Sequence, residues 1–174
     1  MASGGRARRS VQDFKWGLIV TSDSVLRGEK RDEITPLVEK ILGEHGFTLA
    51  YKVVTGNNML DIQYHVLSAI KAGAELVLVT GGTGPSAKDV SIEAVEKLAT
   101  KEMPGIGELF RRVSYDTVGD YAYISRSSGY IVHGALVVVT PGNPNAVEVM
   151  LEKVLLNIAG HIVAELRRYK EERR

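Results

Sequence analysis

The residues best equipped for chemistry lie between Thr80 and Asp89, TGGTGPSAKD, at the end of the apolar run LVLV. Gly81, Gly82 and Gly84 carry no Cβ, so a ligand can approach their main-chain N–H groups closely. A helix following the loop would add the positive end of its dipole, and an anion is the guest that such a corner suits. Lys88 can neutralise phosphate charge. Asp89, a carboxylate beside phosphates, makes electrostatic sense where it helps to hold a divalent cation. A tight turn with Asp89 as its cap is the plainer reading of the same residues. Three other stretches share the pattern of an apolar run opening into polar or glycine-bearing residues. They are Ser22-Asp23-Ser24 after KWGLIVT, Thr55-Gly56-Asn57-Asn58 after the run ending at Val54, and Thr140-Pro141-Gly142-Asn143-Pro144 after ALVVV.

The elements that must position these loops follow from periodicity and punctuation. Lys15 to Thr21 reads as a strand buried on both faces, Phe47 to Val54 as a second, and LVLVT as a third. Gly129 to His133 and Ala135 to Thr140 read as two more, joined at the turn residues His133 and Gly134, with ALVVV central. Between them, Thr35 and Pro36 suit the Ncap and N1 positions of a helix with Leu37, Val38, Ile41 and Leu42 inward. Asn57 or Asn58 can cap a helix with Leu60, Val66, Leu67 and Ile70 inward and His65 partly buried beside them. Ser91 to Ala99 suits a helix burying Val95 and Leu98. Met103 to Asp116 suits a short amphipathic one, whose Glu108, Arg111 and Arg112 have the spacing of surface pairs. A final helix from about Ala146 to Arg168 buries a stripe from Val147 to Leu166. Strand alternating with helix implies right-handed βαβ units, a mostly parallel sheet covered on both sides, and the strand-end loops gathered on one edge.

The 174 residues fit one domain, expected over 14–168, between a disordered basic tail at 1–13 and a charged tail at 169–174. Hydrophobic residues make up 44% and charged ones 25%, ordinary values for a soluble globular protein. A net charge of +1 argues against a nucleic-acid partner, and no apolar run approaches the ~20 residues of a membrane helix. The absence of cysteine removes disulfides, thiolate metal sites and thiol nucleophiles, and fits a cytoplasmic protein. GGTGPSAKD matches neither the P-loop pattern nor a Rossmann fingerprint.

GGTGPSAKDVSIEA, KEMPGIGELFR, YISRSSG and TPGNPNA, with Thr21-Ser22-Asp23-Ser24 after the first strand, together resemble the molybdopterin adenylyltransferase family, the MoaB/MogA type of molybdenum cofactor biosynthesis. The resemblance spans about residues 15 to 165. It implies a three-layer α/β/α domain, trimeric or hexameric, that binds ATP with Mg²⁺ and transfers AMP to the terminal phosphate of molybdopterin. A metal-inserting protein of the same pathway is the implied partner. By motif, the resemblance makes Asp89, Asp23 and Glu108 catalytic. It makes Ser22, Ser24, Gly81, Gly82, Thr83, Gly84, Lys88, Ser125, Arg126, Pro141, Gly142 and Asn143 binding residues for the pterin or nucleotide. Asp89 and Asn57 fall at the metal. Arg126, read from its residue type alone, is a phosphate clamp or a solvated side chain.

Three positions depart from the family pattern. Asn57 stands where catalytic members place an acid, and an amide brings no negative charge and accepts no proton. Asp32-Glu33-Ile34-Thr35-Pro36 replaces Asp-x-Ser-Gly-Pro, and Asn145 replaces a common Lys. Asp61, one helical turn beyond the altered loop, is expected to point away and not to compensate. A molybdopterin carrier without catalysis, and a nucleotide-cleaving domain on the same fold, are the competing readings.

Overall fold

The computed structural model describes residues 13–171. Six strands form one sheet in the order β2-β1-β3-β6-β5-β4. They are β1 Lys15–Thr21, β2 Leu49–Thr55, β3 Ala74–Thr80, β4 Lys101–Met103, β5 Ser128–Val132 and β6 Ala135–Thr140. The strands β2, β1, β3 and β6 are parallel, while β5 and β4 run antiparallel to their neighbours. The helices are α1 Asp23–Leu26, α2 Ile34–Glu44, α3 Met59–Lys71, α4 Ser91–Glu96, α5 Pro104–Val118, α6 Pro144–Val149 and α7 Leu156–Glu171. Among the described residues no helix is long and apolar enough to cross a membrane.

The three-layer expectation is met because the central strands are apolar on both faces. Leu18, Val20, Leu76, Leu78, Leu136 and Val138 point to one side, where Val38, Ile41 and Leu42 of α2, Phe110 of α5, and Val147 and Val163 of α6 and α7 cover them. The alternate residues Ile19, Val77, Val79, Val137 and Val139 point to the other, against Ile62, Val66 and Ala69 of α3 and Ile92 and Val95 of α4. ALVVV does lie centrally, as β6 between β3 and β5. His133 (φ 46°) and Gly134 (φ 73°) make the two-residue turn into it, both in the left-handed region that such a hairpin requires.

Several local expectations are corrected. Helix α2 starts at Ile34, and its cap is Asp32, not Thr35. Asp32 Oδ1 accepts from the main-chain N–H of Ile34 (2.9 Å) and Thr35 (3.0 Å), while the Thr35 hydroxyl donates to Asp32 Oδ2 at 2.5 Å. On α3, Leu60 and Leu67 are exposed and Ile62 and Ala69 take the buried places, because the cap at Asn58 sets the helix phase. The short strand β4 has no counterpart in the sequence pattern, because its exposed residues Lys101 and Glu102 are charged; it pairs with the backbone of β5, and the Ser128 hydroxyl donates to Glu102 Oε1 at 3.0 Å. The final helix is longer than expected and contains a π-helical turn, Met150–Leu155, between α6 and α7. Residues 1–12 of the expected basic tail and 172–174 of the charged tail lie outside the described residues. Asp13, expected in the basic tail, instead pairs with Arg167 of α7 at 3.0 Å.

Candidate functional site

Each of the four parallel strands ends in a buried threonine: Thr21, Thr55, Thr80 and Thr140. The sheet order places β1 between β2 and β3, so the chain leaves β1 toward one side and returns to the other, opening a crevice beyond the strand ends. A cavity of about 530 Å³ fills it. The Thr21 hydroxyl donates to the Thr80 carbonyl at 2.6 Å, tying the two central strands together under its floor.

Four loops wall this cavity. From β1 come Ser22, Asp23 and Ser24. The Ser22 N–H continues the ladder to the Thr55 carbonyl at 2.9 Å, and its hydroxyl caps α1 by accepting from the Val25 N–H. From β2 comes Asn57, whose main-chain N–H donates to Asp23 Oδ1 at 2.9 Å and whose side-chain NH₂ donates to Asp23 Oδ2 at 3.2 Å. The main-chain bond first and the side-chain bond second hold the Asp23 carboxyl below its ordinary 3.8, against a smaller opposing effect of burial. Gly56 is small because a Cβ there would meet Asp23 Oδ1 at 2.9 Å.

From β3 and β6 come the two glycine-bearing corners. Gly81 (φ 91°) donates its N–H to the Thr140 carbonyl at 2.8 Å, and a Cβ on it would run into the Thr21 carbonyl. Gly142 lies against the Gly81 backbone, where an added Cβ would stand 3.1 Å from the Gly81 Cα. The cavity wall at this corner is therefore bare main chain. Lys88 and Asp89 complete it; Asp89 Oδ2 accepts from the Ser86 N–H at 3.0 Å.

A second, largely apolar pocket of about 360 Å³ lies behind the first, among Thr83, Gly84, Phe110, Tyr121, Ile124 and Val149. Ser125 and Pro141 also face it, and Asn143 borders both spaces. Asn143 Oδ1 caps α6 by accepting from the Ala146 N–H at 2.9 Å, which leaves its NH₂ as the free donor. Asn145 lines the apolar pocket, not the polar cavity.

Two expected site residues stand elsewhere. Glu108 is exposed on α5 and lines neither space, because Ile106, Gly107 and Phe110 turn inward and the helical period carries residue 108 outward. Arg126 is neither a clamp with a free guanidinium nor a solvated side chain. It donates to the Gly84 carbonyl (2.9 and 3.1 Å) and the Asp89 carbonyl (3.1 Å), and pairs with Glu93, so it holds the 84–89 loop in shape. Burial alone would raise the Glu93 carboxyl, but the bond from Arg126 and its charge outweigh that and the net shift is downward. Arg111, expected in a surface pair, donates instead to the Ser125 and Ser127 carbonyls at 3.2 and 2.8 Å. Asp61 is exposed and away from the cavity, as expected. The four strand-end threonines carry no functional signal by residue type alone, although in the sequence a Thr closes every run that opens into one of these loops.

The likeness to known proteins extends over nearly the whole fold. Residues 17–161 match the family described as probable molybdopterin binding domain. The chain is 35% identical over 164 residues to a molybdopterin adenylyltransferase of Pyrococcus furiosus, covering 92% of this chain and 95% of that one. It is 34% identical over 163 residues to molybdenum cofactor biosynthesis protein B of Bacillus anthracis, with the same shares covered. Among solved structures, the tungsten cofactor synthesizing protein MoaB from Pyrococcus furiosus superimposes with a TM-score of 0.82 at 34% identity, over 88% of this chain and 97% of that one. A structure of molybdenum cofactor biosynthesis protein B gives 0.83 at 35%, over 89% and 96%. The sheet order, the glycine corners and these likenesses agree, and the chain belongs to the MoaB/MogA-type family of molybdopterin-binding domains.

Proposed function

We propose that this protein adenylylates molybdopterin at the expense of ATP. A terminal phosphate oxygen of molybdopterin attacks the α-phosphorus of ATP, a new P–O bond forms, the bond to the bridging oxygen of the β-phosphate breaks, and pyrophosphate leaves. The observation that carries this reading is the junction at Asn143, where a polar cavity cornered by the bare main chain of Gly81, Gly82 and Gly142 meets an apolar pocket. Phosphates suit the first space. A flat heterocycle suits the second, between Phe110, Tyr121 and Val149. The chain's own contribution is positioning: Gly81, Gly82 and Gly142 let phosphates close on the backbone, Lys88 and the Asn143 NH₂ offset their charge, and Arg126 keeps the Thr83–Asp89 loop in place.

Mg²⁺, when bound, neutralises phosphate charge and helps hold the phosphates in line. Asp89 fits such an ion carried on the phosphates, since among the described residues only its Oδ2 accepts a hydrogen bond. Asn57 turns its donors to the cavity's acid: its main-chain N–H and its NH₂ both donate to the Asp23 carboxylate, and its Oδ1 is buried. Incubating the purified protein with ATP, Mg²⁺ and molybdopterin is expected to yield adenylylated molybdopterin and pyrophosphate in equal amounts. Pyrophosphate at background level would end the proposal.

Asn57 favours one second reading, a molybdopterin carrier with weak catalysis. Under it, Asn57→Asp raises turnover many-fold with pterin affinity little changed; under the first, the variant gains nothing. Exposed Tyr115, Val118, Tyr121, Tyr123 and Ile124 cluster at the end of α5 beside the apolar pocket, which supports a homo-oligomer, trimer or hexamer, covering that surface. Light scattering on the purified protein tests it.

A further inference from the structure

The loop that carries Lys88 and Asp89 is closed across its ends by a single nitrogen. Arg126 Nη2 donates to the Gly84 carbonyl at 2.9 Å and to the Asp89 carbonyl at 3.1 Å, and Nε adds a second bond to Gly84 at 3.1 Å. Within that span the carboxylate of Asp89 is fixed by the loop itself. Its Oδ2 accepts from the Ser86 N–H at 3.0 Å, the Asp89 N–H donates to the Ser86 carbonyl at 3.0 Å, and a Cβ on Gly84 would stand 2.8 Å from the same Oδ2. A shift of either carbonyl therefore carries the carboxylate with it.

The acceptors in the loop are neutral carbonyls, and among the described residues the one counter-charge of Arg126 is Glu93. Nη1 bonds Glu93 Oε1, and Nη2 stands 3.5 Å from Oε2. Among the described residues no other side chain bonds this carboxylate. Glu93 lies in the first turn of α4, four residues beyond Asp89, and α4 is tied to the cavity floor. There the Ser91 N–H donates to the Gly82 carbonyl at 3.2 Å, and the Ser91 hydroxyl lies 3.4 Å from that of Thr21. Glu93 thus stands on a fixed element and lends its position to the guanidinium. The two side chains are 36% and 40% exposed, so the pair adds little to global stability. Its effect is local, because a rigid fork aimed by a carboxylate keeps its other donors aimed as well.

We propose that Glu93 is a positioning residue for Asp89: acting through Arg126, it holds the two ends of the 84–89 loop together and keeps the Asp89 carboxylate where a cation carried on a nucleotide can meet it. Glu93 itself lines neither the polar cavity nor the apolar pocket, so it touches no ligand. This rests on the adenylyl-transfer reading only in the choice of ligand; the brace is a property of the folded chain.

The test uses the full chain, first without ligand. Amide hydrogen exchange at Ser86 and Asp89 is expected to quicken about fivefold in E93A, the scale of a half-exposed ion pair, and by more in R126Q, while β1 and β3 keep their wild-type protection. E93Q, which keeps an acceptor without the charge, falls between E93A and wild type. In an R126Q background E93A adds less than about twofold, because its effect passes through the guanidinium. Calorimetric titration with α,β-methylene ATP and Mg²⁺ is expected to show about fivefold weaker binding in E93A. In turnover the KM for ATP rises to match while kcat stays within about twofold; a merely structural defect, which lowers the folded fraction, would lower kcat and leave KM alone. Wild-type exchange in folded E93A and E93Q overturns the proposal, as does an undiminished effect of E93A in the R126Q background. If molybdopterin is not adenylylated yet exchange behaves as stated, the reaction falls and the brace stands. If the reaction runs while E93A exchanges like the wild type, the brace falls and the reaction stands.

Discussion

Asp23 and Asn57 are far apart in sequence and bonded in space, and the pair separates charge from geometry. The folded-state pKa of Asp23 lies below the ordinary 3.8. Its bonds therefore stabilise the fold fully above that pH, and the contribution is lost as pH falls through the depressed value. Asn57→Ala removes the side-chain bond but keeps the main-chain N–H, which is the larger cause. A carboxyl titration followed by NMR should show the Asp23 midpoint moving up toward 3.8 in Asn57→Ala without reaching it. A midpoint that did not move would mean that the amide contributes nothing.

At the scale of elements, glycines separate close packing from simple chain punctuation. Gly107 on α5 lies against the end of β5, where an added Cβ would press on the Ser127 carbonyl, a backbone group already fixed by Arg111. Gly107→Ala should cost about 2 kcal/mol in denaturant unfolding, the range for overpacking a site that cannot relax. Gly43 in α2 meets nothing within 4 Å of an added Cβ. Gly43→Ala should be neutral or stabilise by about 0.5–1 kcal/mol. If both variants unfolded at the wild-type midpoint, the contact between α5 and β5 would be looser than the distances state. The long hydrophobic elements were legible in the sequence because strands buried on both faces must be continuously apolar. Strand β4 was not, since a three-residue edge strand depends on a partner and not on its own side chains.

For the molecule as a whole, the end of the sheet opposite the cavity is closed by Arg167. It reaches from α7 to Glu75 at the start of β3, through bonds of 2.8 and 2.6 Å, and to Asp13 before β1. Hydrogen bonds to Glu75 first, and those to Asp13 after them, push the Arg167 guanidinium higher still against an opposing effect of burial, so it stays charged at any working pH. Its side chain is 33% exposed, so solvent screening limits the worth of these pairs. Arg167→Ala is expected to lower stability by about 1 kcal/mol, with a smaller difference at high salt. The polar cavity lies at the other end of the strands, and phosphate binding should be unchanged in this variant. A thermal melt at two salt concentrations checks the stability, and a phosphate titration of the variant checks the binding.

Periodicity and glycine placement in the chain alone determined a mostly parallel sheet and loops that bear chemistry at its strand ends, because those features follow from local sterics and from which faces must avoid water. Tertiary structure decided which side chains were free to act. Arg126 and Arg111 had the residue type of anion binders, yet both are taken up by carbonyls from distant segments. Glu108 was turned out by the phase of its helix, and Asn57 was bound to Asp23 across two loops. A hydrogen bond between residues remote in sequence leaves no mark on the spacing of either, so only the folded arrangement could show which donors remained for a ligand.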